Sequence, residues 1–168
     1  KRVERNGFGQ FMFYNWRYKK EGVPNPDFIL NSPSYSGCSI IATRRNFGSG
    51  SSREHAVWAL SDFGIKCIIA PSFADIFYNN CFQNGILPIV VDEETASKLI
   101  EKSTANPGSR ISIDLKEQSI KDVEEDIDIK FDIDAFRKYT MLNGLDDIGL
   151  TLKHETKIRI YEEEHLQK

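Results

Sequence analysis

The chain has 168 residues, of which 40% are hydrophobic and 28% are charged, and its formal net charge is −3 at pH 7. This composition is typical of a soluble globular protein that is long enough to bury its own core. The slightly acidic balance disfavours a nucleic-acid surface, which needs clustered basic residues. No apolar run approaches the ~20 residues of a membrane-spanning helix. We therefore expect a soluble protein that binds neither nucleic acid nor a membrane.

The cysteines indicate a reducing environment. There are three, Cys38, Cys67 and Cys81, and no C-x-x-C pair occurs. An odd count without paired spacing fits neither a disulfide framework nor a zinc site. We expect three thiols that act as small buried side chains, no metal held by this chain, and a cytoplasmic location.

Residues 1–36 predict an irregular segment rich in aromatic side chains. Phe11, Phe13, Trp16 and neighbouring tyrosines crowd together, and two prolines at 24 and 26 then interrupt any regular element. Two interpretations stay open. The segment is either a lid or partner-docking surface, or a loop whose aromatic side chains fold back on the core.

Residues 38–103 alternate between short apolar runs and longer amphipathic segments. The apolar runs predict buried strands at 38–43, 66–71 and 87–91, and the other segments predict helices at 52–64, 72–85 and 93–103. Ser72 is the expected N-cap of the second helix, and Gly64 and Gly85 are the expected ends of the first two. This alternation predicts an α/β layer with at least partly parallel strands.

The remainder of the chain has a different pattern. Strands are predicted at 110–115 and 126–134, where apolar and acidic residues alternate as in an antiparallel strand with one wet face. Two helices, at 134–144 and 145–165, are predicted to complete the chain. There is no internal repeat and no linker, so we expect one domain over 1–168.

The stretch Gly48–His55 contains an electrostatic conflict. Ser51 stands three residues before Glu54, which is the spacing of a capping box. Arg53 would then lie in the first helical turn, where the helix dipole disfavours a cation by ~0.3–1 kcal/mol. One interpretation is a plain capping box with a solvent-facing arginine. His55 is too close in sequence to pair with Ser51 in a hydrolytic triad, and we expect it to be structural.

The alternative interpretation is a site for a small anion. Gly48 and Gly50 would let the backbone approach a ligand closely, and the helix amides would point toward it. The Arg53 guanidinium can hold a carboxylate with two parallel hydrogen bonds. Together these groups would stabilise the alkoxide of Ser51 or Ser52 as an oxyanion hole does. A serine would then be basic enough to remove a proton from a carbon beside a carboxylate.

The motifs "NFGSGSSREHA" (46–56) and "APSFADIFYNNCFQNGILPI" (70–89) resemble the 3-isopropylmalate dehydratase small-subunit family and the related last domain of aconitase. The segments "NPDFIL" (25–30) and "LDDIGLTLKHE" (145–155) extend the resemblance over most of the chain. The resemblance implies a swivelling β/β/α domain with a mixed sheet. It also implies a lyase of leucine biosynthesis, which removes water from 2-isopropylmalate and adds it back with the opposite regiochemistry.

The resemblance also implies where the chemistry lies. A [4Fe–4S] cluster would belong to a large subunit, with no cofactor on this chain, and the active site would form only where the two subunits meet. Ser51 would be the proton-abstracting base and Arg53 would grip a substrate carboxylate. Ser52 and Gly50 would add hydrogen bonds around the substrate.

Two departures from the family and two alternative functions stay open. Many family members have Cys at the position of Ser49, and they begin earlier, so we expect an N-terminal family segment to be missing from this chain. A related hydro-lyase acting on homoaconitate or a methylcitrate-type substrate would use the same residues. A non-catalytic anion-binding module would keep the fold without turnover.

Overall fold

The computed structural model describes residues 7–51, 53–122, 127–145 and 159–161. The described strands are β1 (Ile40–Ala42), β2 (Cys67–Ala70), β3 (Leu87–Val90), β4 (Ser112–Asp114), β5 (Ser119–Asp122) and β6 (Ile127–Lys130). The described α-helices are α1 (Tyr14–Arg17), α2 (His55–Phe63), α3 (Asp75–Gln83), α4 (Glu93–Ala105) and α5 (Ala135–Leu142). No helix in these ranges is long and apolar enough to span a membrane.

The first sheet is parallel, in the order β1-β2-β3, as the strand–helix alternation predicts. Its central strand β2 is buried along its whole length, because helices cover both of its faces. Ile68 packs in one cluster with Val57 of α2 and Phe77 of α3. Ile69 points to the other side, where it shares a cluster with Leu99 of α4 and Ile120 of β5. The strand thus lies between two apolar layers.

The second sheet is antiparallel, in the order β4-β5-β6. Along β6 the isoleucines are half-buried whereas Asp128 and Lys130 are exposed, which confirms the predicted wet face. The sequence did not reveal β5, since this strand carries only one apolar side chain, Ile120.

A buried ion pair between Lys102 of α4 and Asp122 of β5 joins this sheet to the helix that covers the first one. The α/β class with parallel and antiparallel strands is confirmed, and in the described residues the two kinds of strand lie in separate sheets.

Several predicted helix boundaries need correction. The first helix begins at His55 and not at residue 52. The N-cap of α3 is Ala74, so the prediction of Ser72 as its cap was wrong. Gly64 and Gly85 do end their helices, each with a positive φ. The predicted helix 145–165 lies mostly outside the described residues, although 159–161 are helical.

The aromatic segment before β1 consists of short helical turns. Part of it packs on the core, since the Phe8 ring lies 5.7 Å from that of Trp58 and the Phe13 ring 6.5 Å from that of Phe47. Part of it faces outward, with Phe11 52% and Trp16 65% exposed. The fold-back interpretation therefore holds for some of these side chains, and a docking role for the exposed ones stays a prediction.

Candidate active site

The candidate site lies in the connection between β1 and α2, at the carboxyl end of the parallel sheet, where open α/β folds commonly bind ligands. This connection is fastened to the one that follows β2. The Phe47 amide donates to the Ser72 carbonyl (3.1 Å), and the Ala74 amide donates to the Phe47 carbonyl (3.0 Å). The Ser72 hydroxyl accepts from the Asn46 amide (2.8 Å) and donates to its side-chain oxygen (3.2 Å). Ser72 is therefore engaged in holding the site loop, which explains why it does not cap α3.

Gly48 is required by packing inside the chain. Its φ is +83°, and a Cβ at this position would overlap the Phe77 side chain. Phe77 is itself only 2% exposed, so it has no room to withdraw. The Phe47 ring also packs edge-on against Phe77, with 5.4 Å between centroids. Phe47 and Gly48 thus pack directly against the core residue Phe77. Any other residue at position 48 would strain this part of the loop.

Gly50 and Ser51 are in the opposite situation. A Cβ on Gly50 would meet no atom within 4 Å. The Ser51 amide donates to the Gly48 carbonyl (3.0 Å), and the Ser51 hydroxyl donates to the Arg53 carbonyl (3.1 Å). The predicted capping box is therefore wrong. The Ser51 side chain closes a tight turn instead of accepting a helix amide, and the N-cap of α2 is Glu54.

Arg53 precedes the helix instead of lying within its first turn. It is exposed, and its carbonyl accepts from the Ala56 amide (3.4 Å). Among the described residues its guanidinium has no ion-pair partner. The neighbouring carboxylate of Glu54 turns away, and accepts from the side-chain nitrogen of Asn84 (3.3 Å). The positive end of α2 and an available guanidinium therefore lie beside each other.

Two further residues of the motif, Ser52 and His55, were candidates from the sequence. Ser52 lies outside the described residues, so its role stays a prediction. His55 is exposed, and its ring lies 5.4 Å from that of Phe8 and 4.8 Å from that of Trp58. The hydroxyl of Ser51 bonds to a backbone carbonyl, so the described contacts do not pair it with this histidine.

A contact between the start of α2 and the end of α3 was not apparent from the sequence. Asn84 accepts a hydrogen bond from the Trp58 indole (3.0 Å) as well as donating to Glu54. The Asn-Gly pair at 84–85 signals only a helix end, and no spacing in the sequence indicates a contact across 30 residues.

The cysteines of this chain do not fit an iron–sulfur cluster. Cys67 and Cys81 are buried in the core, and Cys38 is half-buried. Burial raises the pKa of all three thiols, that of Cys81 to about 12. Thiols that stay protonated are poor metal ligands. Within the described ranges, no cluster of three or more His, Cys, Asp or Glu side chains is arranged to hold a metal ion.

The candidate residues lie on an open face. A cavity of about 680 Å³ runs along the edge strand β1, and Thr43, Phe47 and Trp16 are among its lining residues. Neither Gly50, Ser51 nor Arg53 lines it. Gly50 and Arg53 are exposed and Ser51 is half-buried, so a substrate held by these three residues would sit at the surface of this chain.

The chain matches two protein-family profiles. The profile of the aconitase C-terminal domain matches residues 1–94, and that of the C-terminal domain of the 3-isopropylmalate dehydratase small subunit matches residues 147–168. The fold and the serine–arginine loop thus define a domain of the aconitase C-terminal class.

Individual relatives narrow this assignment. The chain is 54% identical to the 3-isopropylmalate dehydratase small subunit of Brevibacillus brevis, over 96% of this chain and 83% of the relative. It is 52% identical to that of Paenibacillus polymyxa, over 100% of this chain and 94% of the relative. A crystal structure of 3-isopropylmalate dehydratase from Methanocaldococcus jannaschii is 31% identical, with a TM-score of 0.55, covering 73% of this chain and 68% of the other. The chain belongs to the family of 3-isopropylmalate dehydratase small subunits.

Proposed function

We propose that this chain is the small subunit of a cytoplasmic 3-isopropylmalate dehydratase of leucine biosynthesis. The enzyme would interconvert 2-isopropylmalate and 3-isopropylmalate by losing and regaining water, and it would act only together with a large subunit. Two small subunits more than 50% identical over nearly the whole chain support this assignment. The observation that carries the mechanism is that the half-buried Ser51 and the exposed Arg53 lie together just before α2, joined by a hydrogen bond.

Arg53 is proposed to bind a carboxylate of the substrate. Its guanidinium is exposed and has no ion-pair partner in the described part of the chain, so binding an anion there displaces no existing partner. A planar guanidinium can donate two parallel hydrogen bonds to one carboxylate, which fixes its orientation as well as its position. The positive end of the α2 dipole adds to the attraction.

Ser51 is proposed to move the proton. As an alkoxide, its Oγ would take the proton from the carbon beside the carboxylate, and the electron pair of that C–H bond would form the double bond as the hydroxyl group leaves. The guanidinium and the helix amides would stabilise the alkoxide. Once protonated, Oγ can donate to the Arg53 carbonyl as it does in the structure. Returning the same proton during rehydration restores the base.

Two groups complete the proposed site. Gly50 has open space where a Cβ would lie, so a substrate can rest directly against the backbone, and Ser52 is proposed to add a hydrogen bond. A [4Fe–4S] cluster, which we place on the large subunit, would supply the Lewis acid for the departing hydroxyl group. The open position of Ser51 and Arg53 supports a site completed by a second surface.

The test is anaerobic co-expression with the cognate large subunit, followed by assays with 2-isopropylmalate, homocitrate and citrate in parallel. We expect turnover of 2-isopropylmalate by the two subunits together and none by this chain alone. Preference for homocitrate or citrate would overturn the substrate assignment. Turnover by the isolated chain would overturn the shared site, and loss of all turnover in the complex would favour a non-catalytic module.

A further inference from the structure

The carboxylate of Glu54 is at the N-cap of α2 but does not cap the helix. Ser, Thr, Asp and Asn are the usual caps at this position, and Glu is not among them. A carboxylate here is nevertheless attracted by the helix dipole and by the adjacent guanidinium of Arg53. Something must therefore hold this carboxylate elsewhere.

The group that holds it is Asn84 at the end of α3. Its side-chain nitrogen donates to the Asn80 carbonyl (2.8 Å) and to the Glu54 carboxylate (3.3 Å), and its oxygen accepts from the Trp58 indole (3.0 Å). The orientation of the amide is fixed by chemistry, since the indole can only donate and the other two partners can only accept. The Asn84 side chain thus makes three hydrogen bonds, two of which reach Glu54 and Trp58.

We infer that Asn84 is a positioning residue that keeps Glu54 away from the substrate site. This inference rests on the proposed function. Glu54 and Trp58 are one helical turn apart and face the same side of α2, so Asn84 holds the helix at two successive points on the side where it meets α3. With Glu54 tied there, the helix amides and Arg53 remain available to a substrate carboxylate. Without Asn84, the carboxylate of Glu54 would become a competing anion within the chain itself.

The inference predicts a change in substrate binding more than in catalysis. In the complex with the large subunit, Asn84→Ala should raise KM about tenfold and change kcat much less, because a competing carboxylate replaces one charge-assisted interaction. The double variant Asn84→Ala with Glu54→Gln should return KM to near the wild-type value, since a neutral amide competes weakly. A merely structural defect would not be rescued by a second substitution at the same contact.

Two further variants make the test decisive. Asn84→Asp keeps an oxygen for Trp58 and cannot donate to Glu54, so it should raise KM in the same way if Asn84→Ala does not fold. Asn143→Ala is the matched control, because Asn143 caps α5 with the same bond to the carbonyl four residues earlier (2.7 Å, to Tyr139). We expect its KM to be unchanged.

The outcomes separate this inference from the proposed function. An unchanged KM in both Asn84 variants, or a raised KM that Glu54→Gln does not restore, overturns the positioning role while wild-type turnover upholds the function. If the wild-type complex does not turn over 2-isopropylmalate, both fall together.

Discussion

The two halves of the loop between β1 and α2 are built in opposite ways. Residues 46–48 are held by bonds to Ser72 and Ala74 and by the close contact of Gly48 with Phe77. In the second half, Gly50 and Arg53 are exposed, and Ser51 is half-buried with hydrogen bonds only to its neighbours in the loop. The first half has its explanation inside the chain. In the second half the Ser51 hydroxyl closes the turn, but no contact within the described residues accounts for the guanidinium of Arg53 or for the open space at Gly50. A surface completed by a substrate and another subunit would require such groups.

The largest effect on catalysis is expected for a substitution in the second half of the loop. Ser51→Ala should lower kcat of the assembled enzyme by ~10²–10⁴-fold, the usual contribution of a general base. The stability of the chain should change by no more than about 0.5 kcal/mol, because only an exposed hydrogen bond is lost. Steady-state kinetics and thermal melting of the same preparations measure both quantities.

Ser49→Ala is the matched control for that experiment. Ser49 lies in the same loop and its amide donates to the Asn46 carbonyl (3.2 Å), a bond that the substitution leaves in place. We expect wild-type kcat. A Ser51→Ala variant that lost melting temperature but kept its activity would show that Ser51 serves the loop and not the reaction.

Gly48→Ala should have the next largest effect, and on stability. The new methyl group must enter the space of the Phe77 ring, and the backbone must keep a left-handed conformation. Together, overpacking and the left-handed penalty should cost roughly 2–5 kcal/mol. Urea denaturation of the isolated chain measures this loss. A normal unfolding midpoint would mean that the loop can move off the core, and the contrast between its two halves would fail.

These predictions also show what the sequence could establish. The three parallel strands were identified because each is an apolar run bounded by turn residues, and β6 because its isoleucines alternate with charged residues. The start of α2 was misplaced because Ser51 and Glu54 have capping-box spacing, yet the hydroxyl bonds within the turn. Spacing fixes which groups are near each other in a helix, but it does not say where the helix begins.

The long-range contacts of the site were beyond sequence reasoning. Ser72 was predicted to cap a helix and Asn84 was given no role, whereas Ser72 bonds to the connection that carries the site and Asn84 bonds to Glu54 at the start of α2. The partners of these two residues are 26 and 30 residues away in the chain. A local sequence pattern does not indicate contacts over such separations. The motif itself could be identified because its glycines, serines and arginine are unusual together at a helix start.

Arg53→Lys should have a smaller, specific effect on binding. The ammonium group keeps the charge but cannot donate two parallel hydrogen bonds to one carboxylate. We expect KM to rise ~10–100-fold, equivalent to one lost charge-assisted bond, with kcat less affected. Arg44→Lys provides the control, since Arg44 is also exposed and lies in the same connection. Equal KM values for the two variants would argue against a substrate contact at Arg53.

The smallest effect on stability is expected for Gly50→Ala, the direct counterpart of Gly48→Ala. Its Cβ would point into open space, and its φ is not in the left-handed region, so the unfolding free energy should change by no more than about 0.5 kcal/mol. In the complex, however, the methyl group would stand between the backbone and the substrate, and KM should rise severalfold. Denaturation of the isolated chain should therefore show a much smaller loss for Gly50→Ala than for Gly48→Ala, and kinetics of the complex should show the raised KM of Gly50→Ala. If Gly50→Ala changed neither quantity, the open half of the loop would not face the substrate.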